Sequence, residues 1–110
     1  MSVWRGLRRR GQAWSTRWLP YRAAVQANEE LPSRLKWRTI YFLGSPVWKV
    51  AFACPCGCDD IVELCLMTSV RPHWQASVDG ADRVTLNPSV WKKQGCKSHY
   101  FIRQGRIIWV

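Results

Sequence analysis

Apolar and polar positions alternate in short runs from about residue 39 onward, and Gly, Pro and Asp cut one run from the next. Thr39-Ile40-Tyr41-Phe42-Leu43 is β-branched and aromatic and stops at Gly44-Ser45-Pro46, which predicts a strand closed by a turn. Residues 47–53 predict a second strand that runs straight into Cys54, and residues 61–67 a third beyond a bend bearing Pro and Gly. Residues 74–78 alternate, Asp79-Gly80 supplies a turn, and Val84-Thr85-Leu86 forms the returning strand. Asn87-Pro88-Ser89-Val90-Trp91 reads as an irregular corner, because Pro88 has no N–H for a ladder. Residues 100–103, Gln104-Gly105 and residues 106–109 predict a terminal hairpin. No 3.6-residue period follows residue 31, so the fold is expected to be mostly β and antiparallel.

Residues 1–30 have another character. Arg5, Arg8, Arg9, Arg10, Arg17 and Arg22 all precede the first acidic residue, Glu29, and Trp4, Trp14, Trp18 and Tyr21 stand among them. An acid-free arm of arginine and aromatic residues suits nucleic acid, by phosphate pairing and base stacking. It equally suits an organelle transit peptide or an amphipathic surface helix. As a matter of fold it reads as a disordered or partly helical tail, with Leu19-Pro20 interrupting any long helix and residues 21–30 suited to a short one. No apolar h-region follows the basic residues, and no run approaches the ~20 apolar residues that cross a bilayer; a cytoplasmic location is expected.

Composition adds size and charge. A chain of 110 residues is one domain, here an arm over 1–30 and a β domain over 31–110. The formal charge of +10 and pI near 10.1 favour a polyanionic partner, either nucleic acid or an acidic protein surface. Eight tryptophans can dominate a small core or form a binding face. A core this small is marginal alone, and a structural metal is a common remedy.

The cysteines supply a candidate for that metal. Cys54, Cys56 and Cys58 alternate through a Pro- and Gly-bearing bend, and Cys96-Lys97-Ser98-His99 answers them near the C-terminus. Thiolate and imidazole are the preferred zinc ligands, and a structural zinc takes four of them from two short clusters. Cys54, Cys56, Cys58, Cys96 and His99 are thus five candidates for four places, and the domain is expected to be zinc-stabilised. Reduced, buried cysteine is the competing reading, and Cys65, inside an apolar run, fits it. A disulfide framework is disfavoured by the odd count and by the closeness of the first three thiols. A closed shell of four protein ligands points to structural rather than catalytic zinc. No His-Glu-x-x-His and no His-x-Glu with a later Cys-x-x-Cys occurs, so metallopeptidase and deaminase chemistry lack their general base.

Either all four of those cysteines bind and His99 is released, or His99 binds and one clustered thiol is spare. If His99 is free, Ser89 and Ser98 are the available hydroxyls, with Asp79 or Asp82 to orient the imidazole. Ser98 adjoins His99, and on a strand the two would face opposite ways, so Ser89 is the better nucleophile. Taken alone, a serine after proline is usually a turn residue, and a histidine at this spacing from cysteine is more often a ligand.

Phe52-x-Cys54-Pro55-Cys56-Gly57-Cys58, Trp74, Val84-Thr85-Leu86-x-Pro88-Ser89-Val90-Trp91, Gly95-Cys96-x-Ser98-His99-Tyr100-Phe101-Ile102 and Gly105-x-Ile107-x-Trp109 together resemble the small bacterial DUF6527 family, over residues 31–110. One departure is Asp59, where the family pattern has Gly; a left-handed turn there strains a non-Gly residue, though Asp tolerates it better than most. The resemblance implies a bacterial or phage protein that works beside a ubiquitin-like protein and its conjugation enzymes. It further implies a peptidase that processes or removes that ubiquitin-like partner, with Ser89 and His99 inheriting catalysis and zinc serving as scaffold. The alternative in a different class is a non-catalytic, zinc-ribbon-like module that binds nucleic acid or an acidic protein.

Overall fold

A computed structural model of the chain describes residues 19–110. Two four-stranded sheets contain every regular element among them. β1 (Arg22–Gln26), β2 (Thr39–Gly44), β3 (Val47–Ala53) and β4 (Ile61–Cys65) form the first in that order, and β5 (Gln75–Val78), β6 (Val84–Trp91), β7 (His99–Arg103) and β8 (Arg106–Trp109) the second. Neighbours are antiparallel except β1 and β2, which run parallel. The mostly-β expectation is what the structure shows. No helix among the described residues is long and apolar enough to cross a membrane.

The sheets pack face to face because alternation gives each an apolar side. One cluster joins Ile40, Phe42, Val50, Phe52, Val62 and Leu64 of the first sheet to Val84, Leu86, Val90, Tyr100 and Ile102 of the second. Phe52 and Tyr100 are the largest side chains wholly removed from solvent, and truncating a buried aromatic of this kind costs about 3–5 kcal/mol. β2 is buried on both faces: Tyr41 and Leu43 point away from the main core and are covered by Ala24, Leu31 and Leu35. That double burial is why its sequence is a continuous apolar run rather than an alternation.

Two segments differ from the sequence expectation. Residues 21–30, suited to a short helix by their alanines, contain strand β1 instead. The N–H groups of Arg22 and Ala23 donate to the carbonyls of Arg38 and Asp82, at 3.1 and 2.9 Å, and pairing with β2 overrides a weak local preference. The same segment reaches the second sheet: Tyr21 N–H donates to Gly105 O at 2.8 Å, and Tyr21 O accepts from Val84 N–H at 3.2 Å. Gly105, at φ 77°, has to be glycine there, since a Cβ would strike Pro20 and the Tyr21 backbone.

The second difference is residues 87–91, which do not form a corner. They belong to β6, and the irregularity is a bulge: Leu86 pairs with Ile102 and Val90 with Tyr100, so Asn87, Pro88 and Ser89 all stand opposite Phe101. Pro88 occupies a place where no ladder donor is required, and the extra backbone re-aims Ser89.

Candidate active site and cysteine cluster

The bulge in β6 and the start of β7 bring together the two residues singled out for catalysis. Ser89 Oγ lies 2.9 Å from His99 Nε2. Both side chains are half-buried. Ser89 is fixed from behind by Trp74, whose indole N–H donates to the Ser89 carbonyl at 3.2 Å. His99 precedes Tyr100, which the alternation of β7 sends into the core, so the imidazole takes the opposite face. There it meets Trp91, its partner in the β6–β7 register, with ring centroids 5.0 Å apart and planes at 15°. Lys93 Nζ lies 5.3 Å from the centre of the Trp91 ring.

No carboxylate reaches His99 among the described hydrogen bonds and ion pairs. Asp79, expected as an orienting group, is consumed by its own turn: its carboxylate accepts from the N–H groups of Ala81 and Arg83, each at 2.9 Å, and from Arg83 Nε at 2.7 Å. These bonds, those of the Arg83 backbone first, hold its carboxyl below the usual range. Asp82 sits in the same turn at φ 62°. The group stacked on the imidazole is Trp91, which the sequence offered as one residue of a supposed corner and of the resembled motif, with no part at the site. Its role follows from cross-strand register, and nothing in the local sequence signals it.

Cys54, Cys56, Cys58 and Cys96 form a second constellation. Their Sγ atoms all lie within 4.8 Å of one another, with Cys54 at 3.4 Å from Cys56 and 3.7 Å from Cys96. The first three are presented by a knuckle at the end of β3. It is closed by Cys54 N–H donating to Asp60 O at 2.8 Å and Gly57 N–H donating to Cys54 O at 3.1 Å. Gly57 and Asp59 take left-handed conformations, φ 88° and 67°, so the chain does turn where Asp59 replaces the expected glycine. Across the cluster Lys92 Nζ pairs with Asp60 Oδ2 at 2.5 Å, tying the knuckle to the loop that carries Cys96.

The donor set suits one tetrahedral ion. Burial pushes Cys54 up to about 12, whereas the hydroxyl and N–H of Ser98 hold Cys96 at about 6. Sulfurs this close ionise together only around a cation. Ser98 Oγ lies 3.2 Å from Cys96 Sγ, so adjacent residues serve different sites: Ser98 the sulfurs, His99 the hydroxyl of Ser89. His99 is not in the sulfur group. Cys65 stands apart from it, half-buried, its sulfur accepting from Met67 N–H at 3.4 Å. The arginines of the arm from Arg5 to Arg17, with Trp4, Trp14 and Trp18, on which contact with nucleic acid was expected, lie outside the described residues.

A family model, that of the bacterial ubiquitination-like system serine protease (BubE), matches residues 27–110. Searches of curated proteins and of solved structures return no match. The label differs from DUF6527, but the pathway is the one to which that resemblance pointed. The matched stretch takes in every strand except β1, and the chain belongs to the BubE family of the bacterial ubiquitination-like system.

Proposed function

We propose that this protein is a serine peptidase acting on a ubiquitin-like protein of its own pathway, at that partner's C-terminal tail. The observation that carries the reading is the 2.9 Å contact between Ser89 Oγ and His99 Nε2. This is hydrogen-bond reach for a general base and its nucleophile. In the reaction, His99 Nε2 takes the hydroxyl proton as Ser89 Oγ attacks the scissile carbonyl carbon. The imidazolium then gives that proton to the leaving amine as the C–N bond breaks, leaving an ester on Ser89. Water, deprotonated by the same nitrogen, hydrolyses the ester and restores the hydroxyl. Trp91 keeps the imidazole plane fixed through these transfers.

The metal is read as zinc, held by Cys54, Cys56, Cys58 and Cys96. With Zn–S near 2.3 Å, a tetrahedron has sulfur edges of about 3.8 Å, close to the separations among these thiols. Bound there, zinc supplies no step of the reaction and fixes two distant bends. His99 is left to Ser89 and does not compete for the ion.

The test is Ser89→Ala in the full chain, with zinc content and the circular dichroism spectrum as controls. Cleavage of the ubiquitin-like partner should fall by at least about a thousandfold, as expected on loss of a nucleophile. A fluorophosphonate should phosphonylate the parent chain at Ser89 Oγ, with loss of fluoride, and leave the variant unlabelled. Cleavage at the parent rate by Ser89→Ala would dispose of the proposal.

A further inference from the structure

Strand β6 runs on past its partner on one side. Pairing with β5 stops at Gln75 opposite Asn87, and the chain leaves that line at Trp74, whose N–H donates to Cys65 O at 2.8 Å in the first sheet. Residues 89–91 of β6 therefore have β7 on one side and no strand of the described residues on the other. The antiparallel alternation fixes where their backbone groups point. Lys92 N–H donates to Ser98 O at 2.8 Å, toward β7, whereas His99 O accepts from Val110 N–H at 3.0 Å, toward β8. Trp91 and His99 are thus a pair without mutual hydrogen bonds, and the N–H and C=O of Trp91 both point to the open side. No hydrogen bond of the described residues takes either. The Ser89 carbonyl is already taken by the Trp74 indole.

An open N–H and C=O on a strand rim are a template for one more extended chain. Building on the peptidase reading above, we propose that this rim takes the partner's tail as an added strand antiparallel to β6. Trp91 exchanges both backbone hydrogen bonds with the tail residue two before the carbonyl that Ser89 attacks. Adjacent strands lie ~4.8 Å apart and an extended chain rises ~3.3 Å per residue, so two residues carry the tail from Trp91 to Ser89. Ser89 Oγ then stands between the tail on its β5 side and His99 on its β7 side, the order that attack and proton transfer require. Trp74 ends the pairing. It packs against the core and its ring closes the line beside Ser89, so the tail is turned there toward the outer face that carries the hydroxyl. Bulk sets the direction: a tail joined to a folded body on its N-terminal side needs the free end of the rim. Antiparallel pairing puts that body beyond the exposed Trp91, whereas parallel pairing would drive it into β5. With only residues 89–91 open, the rim fits a tail and not a whole edge strand of a second copy.

The probe is a synthetic peptide spanning the ubiquitin-like partner's C-terminal tail and its cleavage site. It is titrated into full-length, zinc-loaded Ser89→Ala protein labelled with ¹⁵N-tryptophan, and Trp91→Phe in that background identifies the Trp91 amide. That amide should move downfield saturably, and its hydrogen exchange should slow by at least about tenfold. The amide of Trp109, which by the same alternation faces the open rim of β8, should do neither. N-methylation of the tail residue two before the attacked carbonyl should weaken binding by at least about tenfold and raise KM for cleavage by the parent chain to match. N-methylation one residue later, where the N–H points away from β6, should change both by less than about threefold. Should Ser89→Ala not fold, the KM series on the parent chain decides. A tail that pairs with Trp91 without being cleaved keeps this assignment and removes the peptidase reading. A tail that is cleaved while the Trp91 amide stays still, that moves Trp109 instead, or that is indifferent to both N-methyl groups overturns the assignment alone. A tail that neither binds nor is cleaved overturns both.

Discussion

At the scale of single residues, the imidazole of His99 is oriented without a carboxylate. A stacked aromatic pair contributes roughly 0.5–1.5 kcal/mol beyond its burial, enough to favour one ring orientation about two- to tenfold. Trp91 is itself 57 % exposed, so truncating it removes the stack with little loss of core. Trp91→Ala should therefore lower kcat for cleavage of the ubiquitin-like partner by roughly two- to tenfold, with KM changing less. Trp91→Phe, which keeps a ring against the imidazole, should recover most of the rate. Steady-state kinetics of the two variants decides the matter, and an unimpaired alanine variant means that something other than stacking holds His99. Ser89 and His99 were legible in the sequence as candidates because their chemistry is carried by residue type. Their pairing was not, because it depends on the bulge that turns Ser89 and on the register that sets His99 beside Trp91.

At the scale of elements, most strands were legible because apolar runs stop at Gly or Pro, as β2 does at Gly44 and β3 does between Pro46 and Pro55. β1 was not, because its partner is a strand more than a dozen residues away and its alanines favour a helix locally. Turn chemistry is equally specific. Gly44, at φ 103°, faces the Trp48 ring, where an added Cβ would lie 2.5 Å from Cδ1. Gly44→Ala should destabilise the protein by about 1–3 kcal/mol, read as a lower denaturant midpoint, without altering zinc content. The β5–β6 turn gives a pH signature. Because the Asp79 pKa is depressed in the folded chain, its contribution is present above the unfolded-state value and fades as pH falls through the folded one. Asp79→Asn should therefore be less stable than the parent at pH 6, and the gap should close in the acid range below about pH 4. Urea melts across that range check the sign; a gap that widens in acid would contradict it.

At the scale of the whole molecule, a metal at the sulfur cluster would tie the end of β3 in one sheet to the loop before β7 in the other. Apparent zinc affinities of roughly 10–16 kcal/mol in small sites match or exceed a small domain's net stability of about 5–15 kcal/mol. Chelation at neutral pH should abolish the cooperative thermal transition and the near-UV signal of the tryptophans, and added zinc should restore both. A metal-free chain that still melts cooperatively at the same temperature excludes a structural role for the ion. A last consequence follows from the contacts of residues 20–26 with both layers. A fragment cut at residue 27, where the family match begins, would leave the hydrogen-bonding rim of β2 bare beside an apolar surface. Such a rim recruits strands from other copies, so the trimmed protein should form oligomers or precipitate while the full chain does not.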